Sequence, residues 1–178
     1  INKVRSACFV YDSEGDEVAR YDKIHMFDVD IEDSHGSYRE SDTFEAGDQL
    51  VVIDTPVGKV GLTICYDLRF AEMHAKLVDL GAQIIVNGAA FTRTTGQAHW
   101  HTLLRARAIE TQCYMLAASH GGQHDHRQTF GHSMIIDPWG EILVELGEGP
   151  GIAVARIDLD HLKTIRRAFP LQYQRRLK

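Results

Sequence analysis

A chain of 178 residues with 44% hydrophobic side chains and a mean hydropathy of −0.23 reads as one soluble domain with enough interior for a sizeable core. Nineteen basic against twenty-five acidic residues give a net charge of −6, and no basic cluster exists beyond Arg166-Arg167 and Arg175-Arg176. That balance argues against nucleic acid or an anionic membrane as partner and for a small-molecule ligand.

Along the chain, Val4 to Tyr11 and Glu17 to Tyr21 are β-compatible runs joined by Asp12-Ser13-Glu14-Gly15-Asp16, and they predict a hairpin. Ile1 is not a start methionine and the strand pattern begins at once, so the chain is expected to be cut into an existing domain, residues 1–178 forming its C-terminal two thirds. Lys23 to Gly47 lacks periodicity and carries Asp28, Asp30, Glu32, Asp33, Glu40 and Glu45, which predicts a long functional loop. Leu50 to Asp54 and Lys59 to Ile64 predict a second strand pair around Pro56-Val57-Gly58. Phe70, Met73, Leu77 and Leu80 then fall at helical spacing, with Gly81 as the stop.

Gln83 to Val86 reads as a buried strand, Asn87 to Gly96 as a Gly/Thr-rich loop, Trp100 to Ala108 as a second helix and Tyr114 to Ala118 as another buried strand. This alternation predicts an α/β fold with parallel crossovers. Beyond Ser119 the pattern turns to β: Ser133 to Ile136 and Ile142 to Glu145 flank the turn Asp137-Pro138-Trp139-Gly140, and Ile152 to Ile157 reads as a further strand. Asp158 or Asp160 is placed to cap a short helix containing Leu162 and Ile165, and the basic end from Ala168 to Lys178 is expected to extend onto a neighbour or into solvent. No stretch is long and apolar enough for a membrane span, and no signal peptide is visible at the start.

The chemistry concentrates in Lys59 to Phe70, KVGLTICYDLRF. Val60, Leu62 and Ile64 run up to Cys65, and a polar turn follows, which delivers one thiol to the end of a buried strand. A free cysteine there also serves as core filler. Tyr66, Asp67 and Arg69 immediately afterwards favour a reactive thiol, which needs polar partners and solvent access. Cys8 and Cys113 sit in apolar runs and read as packing. With no disulfide framework or CxxC pair among the three cysteines, a reducing compartment, the cytoplasm, is expected.

Five segments resemble the nitrilase superfamily of carbon-nitrogen hydrolases: YDKIHMFDVDI with Lys23, ESDTFEAGD with Glu40, GKVGLTICYDLRFAE with Cys65, TTGQAHWHTLLRARAIE, and FGHSMIIDPWGEIL. The last two resemble most the branch containing deaminated glutathione amidase, with omega-amidase close behind. The resemblance implies a four-layer α-β-β-α sandwich, here incomplete at the N-terminus, assembled as a homodimer or higher homo-oligomer. It implies Cys65 as nucleophile, Lys23 as the cation that stabilises the oxyanion together with the backbone N–H of Tyr66, and Glu40 as the carboxylate that orients the lysine and helps the deacylating water. No cofactor and no metal are implied. The family's general base is a glutamate ahead of anything in this sequence, so the isolated segment is expected to be inactive. Ala71 stands where the family commonly has proline, and His101 where close relatives have glutamate.

Read without the resemblance, Lys23 is equally a solvated surface charge and Glu40 a surface acid. For substrate recognition, Arg93 is the candidate carboxylate clamp, its planar fork suited to bidentate bonding, and Ala90, Phe91 and Thr95 are candidate pocket residues; a plain surface arginine is the alternative at Arg93. A protease-like pairing of Cys65 with His120 or His132 lacks a local signature. The histidine-rich stretch from His120 through His124, Asp125 and His126 to His132 matches no standard zinc spacing. The expected activity is hydrolysis of a small linear carboxylate-bearing amide through a cysteine thioester. A non-catalytic oligomerising scaffold is the alternative of a different class.

Overall fold

Strands β1 (Ala7–Tyr11) and β2 (Glu17–Asp22) pair antiparallel as expected, across a turn in which Asp12 Oδ1 accepts the N–H groups of Glu14 and Asp16. The aspartate supplies the turn with bonds that the backbone alone lacks. These positions come from a computed structural model describing residues 3–31, 36–125 and 127–177; Ile1, Glu32, Asp33, His126 and Lys178 lie outside the described residues.

The segment from Lys23 to Gly47 is more than a loop. It contains a short hairpin, β3 (Asp28–Asp30) with β4 (Ser37–Arg39), and then one 3-10 turn at Glu40–Asp42. Three-residue strands are too short to declare themselves by alternation.

The main sheet begins with the antiparallel pair β5 (Val52–Thr55) and β6 (Gly58–Ile64). Helix α1 (Ala71–Asp79) crosses over to β7 (Ile84–Ala89), and α2 (Arg93–Thr111) crosses over to β8 (Tyr114–Ser119), so β6, β7 and β8 run parallel. The hairpin β9 (Gly121–His124) and β10 (Arg127–Phe130) follows, and β11 (Met134–Ile136) and β12 (Ile142–Glu145) extend the sheet antiparallel to the order β12-β11-β8-β7-β6-β5. Helices α3 (Leu159–Ala168), capped by Asp158, and α4 (Leu171–Gln174) close the chain.

Register decides what each face buries. The row Gly61, Ile85, Met115, Ile136 points at α1 and α2, whose Leu77, Trp100, Leu104 and Ala108 are fully buried against it. At Gly61 a β-carbon would stand 3.3 Å from Leu77 Cδ1, so the bare backbone lets α1 settle close. The neighbouring row Leu62, Val86, Leu116 points the other way, onto Tyr21 of the β1–β2 hairpin and, through Ile84 and Tyr114 beside it, onto Leu162 of α3. Burial of each large apolar side chain contributes about 1.5–3 kcal/mol. The chain thus packs one helix layer on one face of a six-stranded mixed sheet, with the β1–β2 hairpin and α3 on the opposite face.

Three expectations need correcting. Ile152 to Ile157 forms no strand: Ala153, Ala155 and Ile157 are half-buried in alternation, but no described strand lies alongside, and Ile152 and Val154 stay exposed. Alternation marks a face, and a ladder also needs a neighbour. Asn87 to Gly96 is mostly regular, because β7 runs to Ala89 and the Thr92 side chain accepts the Thr95 N–H to start α2 at Arg93. The tail is anchored in part on its own chain, with Arg175 bonded to Asp79 and Gln172 Nε2 donating to the carbonyls of Glu110 and Thr111 at the end of α2, while Tyr173 and Leu177 stay exposed to solvent as expected.

Candidate active site

Strand β6 ends at Ile64, and Cys65 opens a 3-10 turn with φ +48°, a left-handed conformation that a residue bearing a β-carbon adopts at a cost of about 1–3 kcal/mol. Asp67 holds that turn. Fully buried, its Oδ2 accepts the Ile64 N–H at 2.9 Å and the Tyr21 hydroxyl at 2.6 Å, while its Oδ1 accepts the His25 N–H at 3.1 Å and faces His25 Nδ1 at 2.8 Å. The His25 ring also stacks on Phe70, with centroids 3.6 Å apart. Burial and the adjacent Asp67 push the Tyr21 phenol far up, so it remains a donor. One carboxylate therefore ties the thiol turn to residues 21 and 25, the neighbours of Lys23.

Lys23 is 3% exposed, so the solvated-charge alternative fails. A buried ammonium requires a partner, and its Nζ bonds Glu40 Oε2, which also accepts the Phe27 N–H at 2.6 Å. The lysine backbone is fixed from both sides, its N–H donating to Ser6 O at 2.9 Å and its carbonyl accepting the Gly47 N–H at 2.8 Å. The 3-10 turn that sequence periodicity missed is what presents Glu40.

A cavity of about 540 Å³ opens on this ensemble, and Lys23, Glu40, Cys65 and Tyr66 line it together. Ala90, Phe91 and Thr95 line it from the start of α2 and the segment before it. Arg93 does not. Its guanidinium pairs with Glu148 at 2.6 Å on the surface, both side chains more than 40% exposed, because the helix start turns it away from β7. The arginines lining the cavity are Arg39, already engaged by Asp30, Arg69, which the sequence named only as a polar neighbour of the thiol, and Arg127, which it did not select. Tyr21 and His25 were likewise not selected, and Asp67 entered only as a polar neighbour of the thiol, since an aspartate there looks the same in sequence whether it is buried or wet. Neither His120 nor His132 lines the cavity: His120 stacks on His124, and His132 bonds Glu145.

Burial pushes the Cys65 thiol above its ordinary value. The Ala90 backbone N–H and the Lys23 ammonium pull it back, and the Glu40 and Asp67 carboxylates add to the rise. The resting group is the neutral thiol at pH 7. Alkylation of Cys65 by iodoacetamide, followed by peptide mass, is accordingly expected to reach its half-maximal rate at a pH above that of a free thiol, about 8.5. A midpoint well below 8 would show a resting thiolate and remove the need for a proton acceptor in the first step.

Residues 2–167 match the family model described as carbon-nitrogen hydrolase. The chain belongs to the carbon-nitrogen hydrolase family. It is 51% identical over 174 residues to a Yersinia enterocolitica protein named deaminated glutathione amidase, covering 97% of this chain and 61% of that one. The C. elegans NitFhit protein superposes with a TM-score of 0.91 at 42% identity over 98% of this chain and 42% of its own, and a Saccharomyces cerevisiae member of the nitrilase superfamily with 0.86 at 34% identity over 98% and 61%. A mutant amidase from Nesterenkonia sp. AN1 (TM-score 0.74, 27% identity, covering 94% and 62%) carries acrylamide joined by Michael addition to its active-site cysteine. This carbon-nitrogen hydrolase chain spans about three fifths of the length of its Yersinia relative. Ala71 occupies the first position of α1, where a proline is also accommodated, so that departure from the family pattern leaves the helix start intact.

Among the described residues no helix is long and apolar enough to cross a membrane.

Proposed function

We propose that this carbon-nitrogen hydrolase cleaves a small linear amide carrying a carboxylate, of the deaminated glutathione type, through a thioester on Cys65. The observation that carries the reading is the buried Lys23–Glu40 pair in the same cavity as a strand-end thiol. A cation held dry beside a nucleophile is strongest where negative charge develops during the reaction. Cys65 sulfur attacks the amide carbon after its proton passes to a base, a role the family resemblance gives to a glutamate upstream of this sequence. The Lys23 ammonium and the backbone N–H of Tyr66, which the first turn of its 3-10 segment leaves without an intrahelical partner, take the oxyanion. The C–N bond breaks as the nitrogen takes the proton back from the base and leaves as ammonia; water then gives up a proton and attacks the thioester, the C–S bond breaks, and the acid leaves with the Cys65 thiol restored.

Glu40 suits the second half of the cycle. Its Oε2 is committed to Lys23 and Phe27, while no bond to Oε1 is present among the described residues, so that oxygen is the one left to take a proton from water. Specificity for the carboxylate falls to Arg127. It lines the cavity, lies over the Tyr38 ring at 5.1 Å and pairs with no carboxylate among the described residues. Arg69 is already held by His99 Nδ1 at 3.2 Å and by the Tyr66 and Phe91 rings.

The test pairs two measurements on the full-length protein. Intact mass after brief exposure to substrate should show an acyl adduct on Cys65. Arg127→Ala should lower kcat/KM for carboxylate-bearing amides about 10- to 100-fold, the worth of a lost hydrogen bond between charged groups, and leave neutral amides little changed, while Arg93→Ala leaves both unchanged. Turnover without any adduct would overturn the thioester, and equal loss on both amide classes would overturn the clamp.

A further inference from the structure

A second polar cluster lies outside the cavity. His101 on α2, His132 just after β10 and Glu145 at the end of β12 converge so that one nitrogen of each imidazole and one carboxylate oxygen lie within 4.8 Å of one another. Glu145 Oε1 stands 2.9 Å from His101 Nε2 and 2.7 Å from His132 Nδ1. We propose that these three side chains bind a divalent transition-metal ion of the zinc type, holding α2 to the far edge of the sheet.

Donor chemistry selects the ion. Two imidazoles and one carboxylate suit Zn²⁺, Co²⁺, Ni²⁺ or Cu²⁺, whereas Mg²⁺ and Ca²⁺ require mostly oxygen. Ligand bonds of about 2.1 Å in a tetrahedron set neighbouring donors about 3.4 Å apart, so each nitrogen withdraws from the carboxylate by about half an ångström or slightly more, and the two nitrogens, within 4.8 Å of each other, settle to the same spacing. The ion would replace the protons that now bridge these groups. All three side chains are partly exposed, which leaves room for water as a fourth ligand.

The ligands are also held by neighbours that do not coordinate. Trp100, next to His101, donates its indole N–H to the carbonyl of His132 at 2.8 Å, and the His132 N–H donates to Gly147 O at 3.1 Å beside β12. His132 takes φ +58°, a conformation that needs outside support, and Phe130 stacks on its ring at 4.3 Å while meeting His101 edge-on. Three elements remote in sequence thus present fixed donors that the hydrolysis does not use.

Co²⁺ added to the full-length protein as a spectroscopic probe tests this. A saturable rise of visible d–d bands without a thiolate-to-cobalt charge-transfer band is expected, which separates this cluster from Cys65. Zn²⁺ should displace the cobalt and raise Tm. His101→Gln and Glu145→Gln should each weaken binding about tenfold or more and abolish the Tm rise. His120→Gln should change neither, although it removes a histidine of the neighbouring stacked pair. Absence of saturable bands, bands carrying a thiolate signature, or binding indifferent to His101 and Glu145 would each overturn the proposal.

Discussion

Lys23→Met is expected to lower kcat/KM of the full-length hydrolase by about 10²–10³-fold or more, with KM changed far less than kcat. The methionine fills the space of the lysine stem but removes the cation bonded to Glu40 beside the thiol. Because the pair is buried, the single change also strands a carboxylate that keeps, among the described residues, the Phe27 N–H alone, and breaking a pair in this way costs about 3–5 kcal/mol of stability. Activity lost through misfolding and activity lost through chemistry must therefore be separated. Glu40→Gln in the same molecule does so when read against Glu40→Gln alone: the neutral pair restores much of the stability but supplies no charge for the oxyanion, and the single glutamine variant shows how much of the loss belongs to the glutamate. The expected cycle is a single mutant that is both unstable and inactive, and a double mutant that regains its urea midpoint and stays inactive. A double mutant that also regained turnover would show that Lys23 acts on the fold alone.

Most of what positions this pair was legible in the sequence, and the exceptions share a cause. Val60, Leu62 and Ile64 announced β6, and the spacing from Phe70 to Leu80 announced α1, because burial on one side of an element leaves a period. Cys65, Lys23 and Glu40 were recoverable through motifs, and all three line one cavity. The short hairpin of β3 and β4 left no period to detect, and a threonine cap at Thr92 overrode the loop-like composition around it. Arg93 was chosen because it follows a strand of the right sheet, but it opens α2, and the helix start carries it to Glu148. Arg127 reaches the cavity from a hairpin far along the chain, and no local pattern reports such a return. Asp67 is the sharpest example: composition gives a buried aspartate no mark, and only the donors gathered around it reveal its role.

Those donors make Asp67→Asn the other change expected to be severe. Two backbone N–H groups, a phenol and an imidazole nitrogen converge on its two oxygens. Asparagine offers one acceptor oxygen and turns an NH₂ toward groups that already donate. At least one buried donor is then unsatisfied and another opposed, at about 1–3 kcal/mol each, so a loss of about 3 kcal/mol is expected as a lower urea midpoint with unchanged slope. Tyr21→Phe removes a single donor, leaves the carboxylate in place, and should cost about 1 kcal/mol. The kinetic consequence follows from what Asp67 joins. Tyr21 and His25 bracket Lys23, while the Ile64 N–H and the 3-10 turn carry Cys65, so the carboxylate sets the position of the ammonium relative to the sulfur. Misplacement of about 1 Å between reacting groups can cost about 10²-fold, and a comparable drop in kcat is expected for Asp67→Asn at temperatures where the variant is fully folded. A folded variant with full kcat would show that the thiol and the lysine hold their places without this bridge.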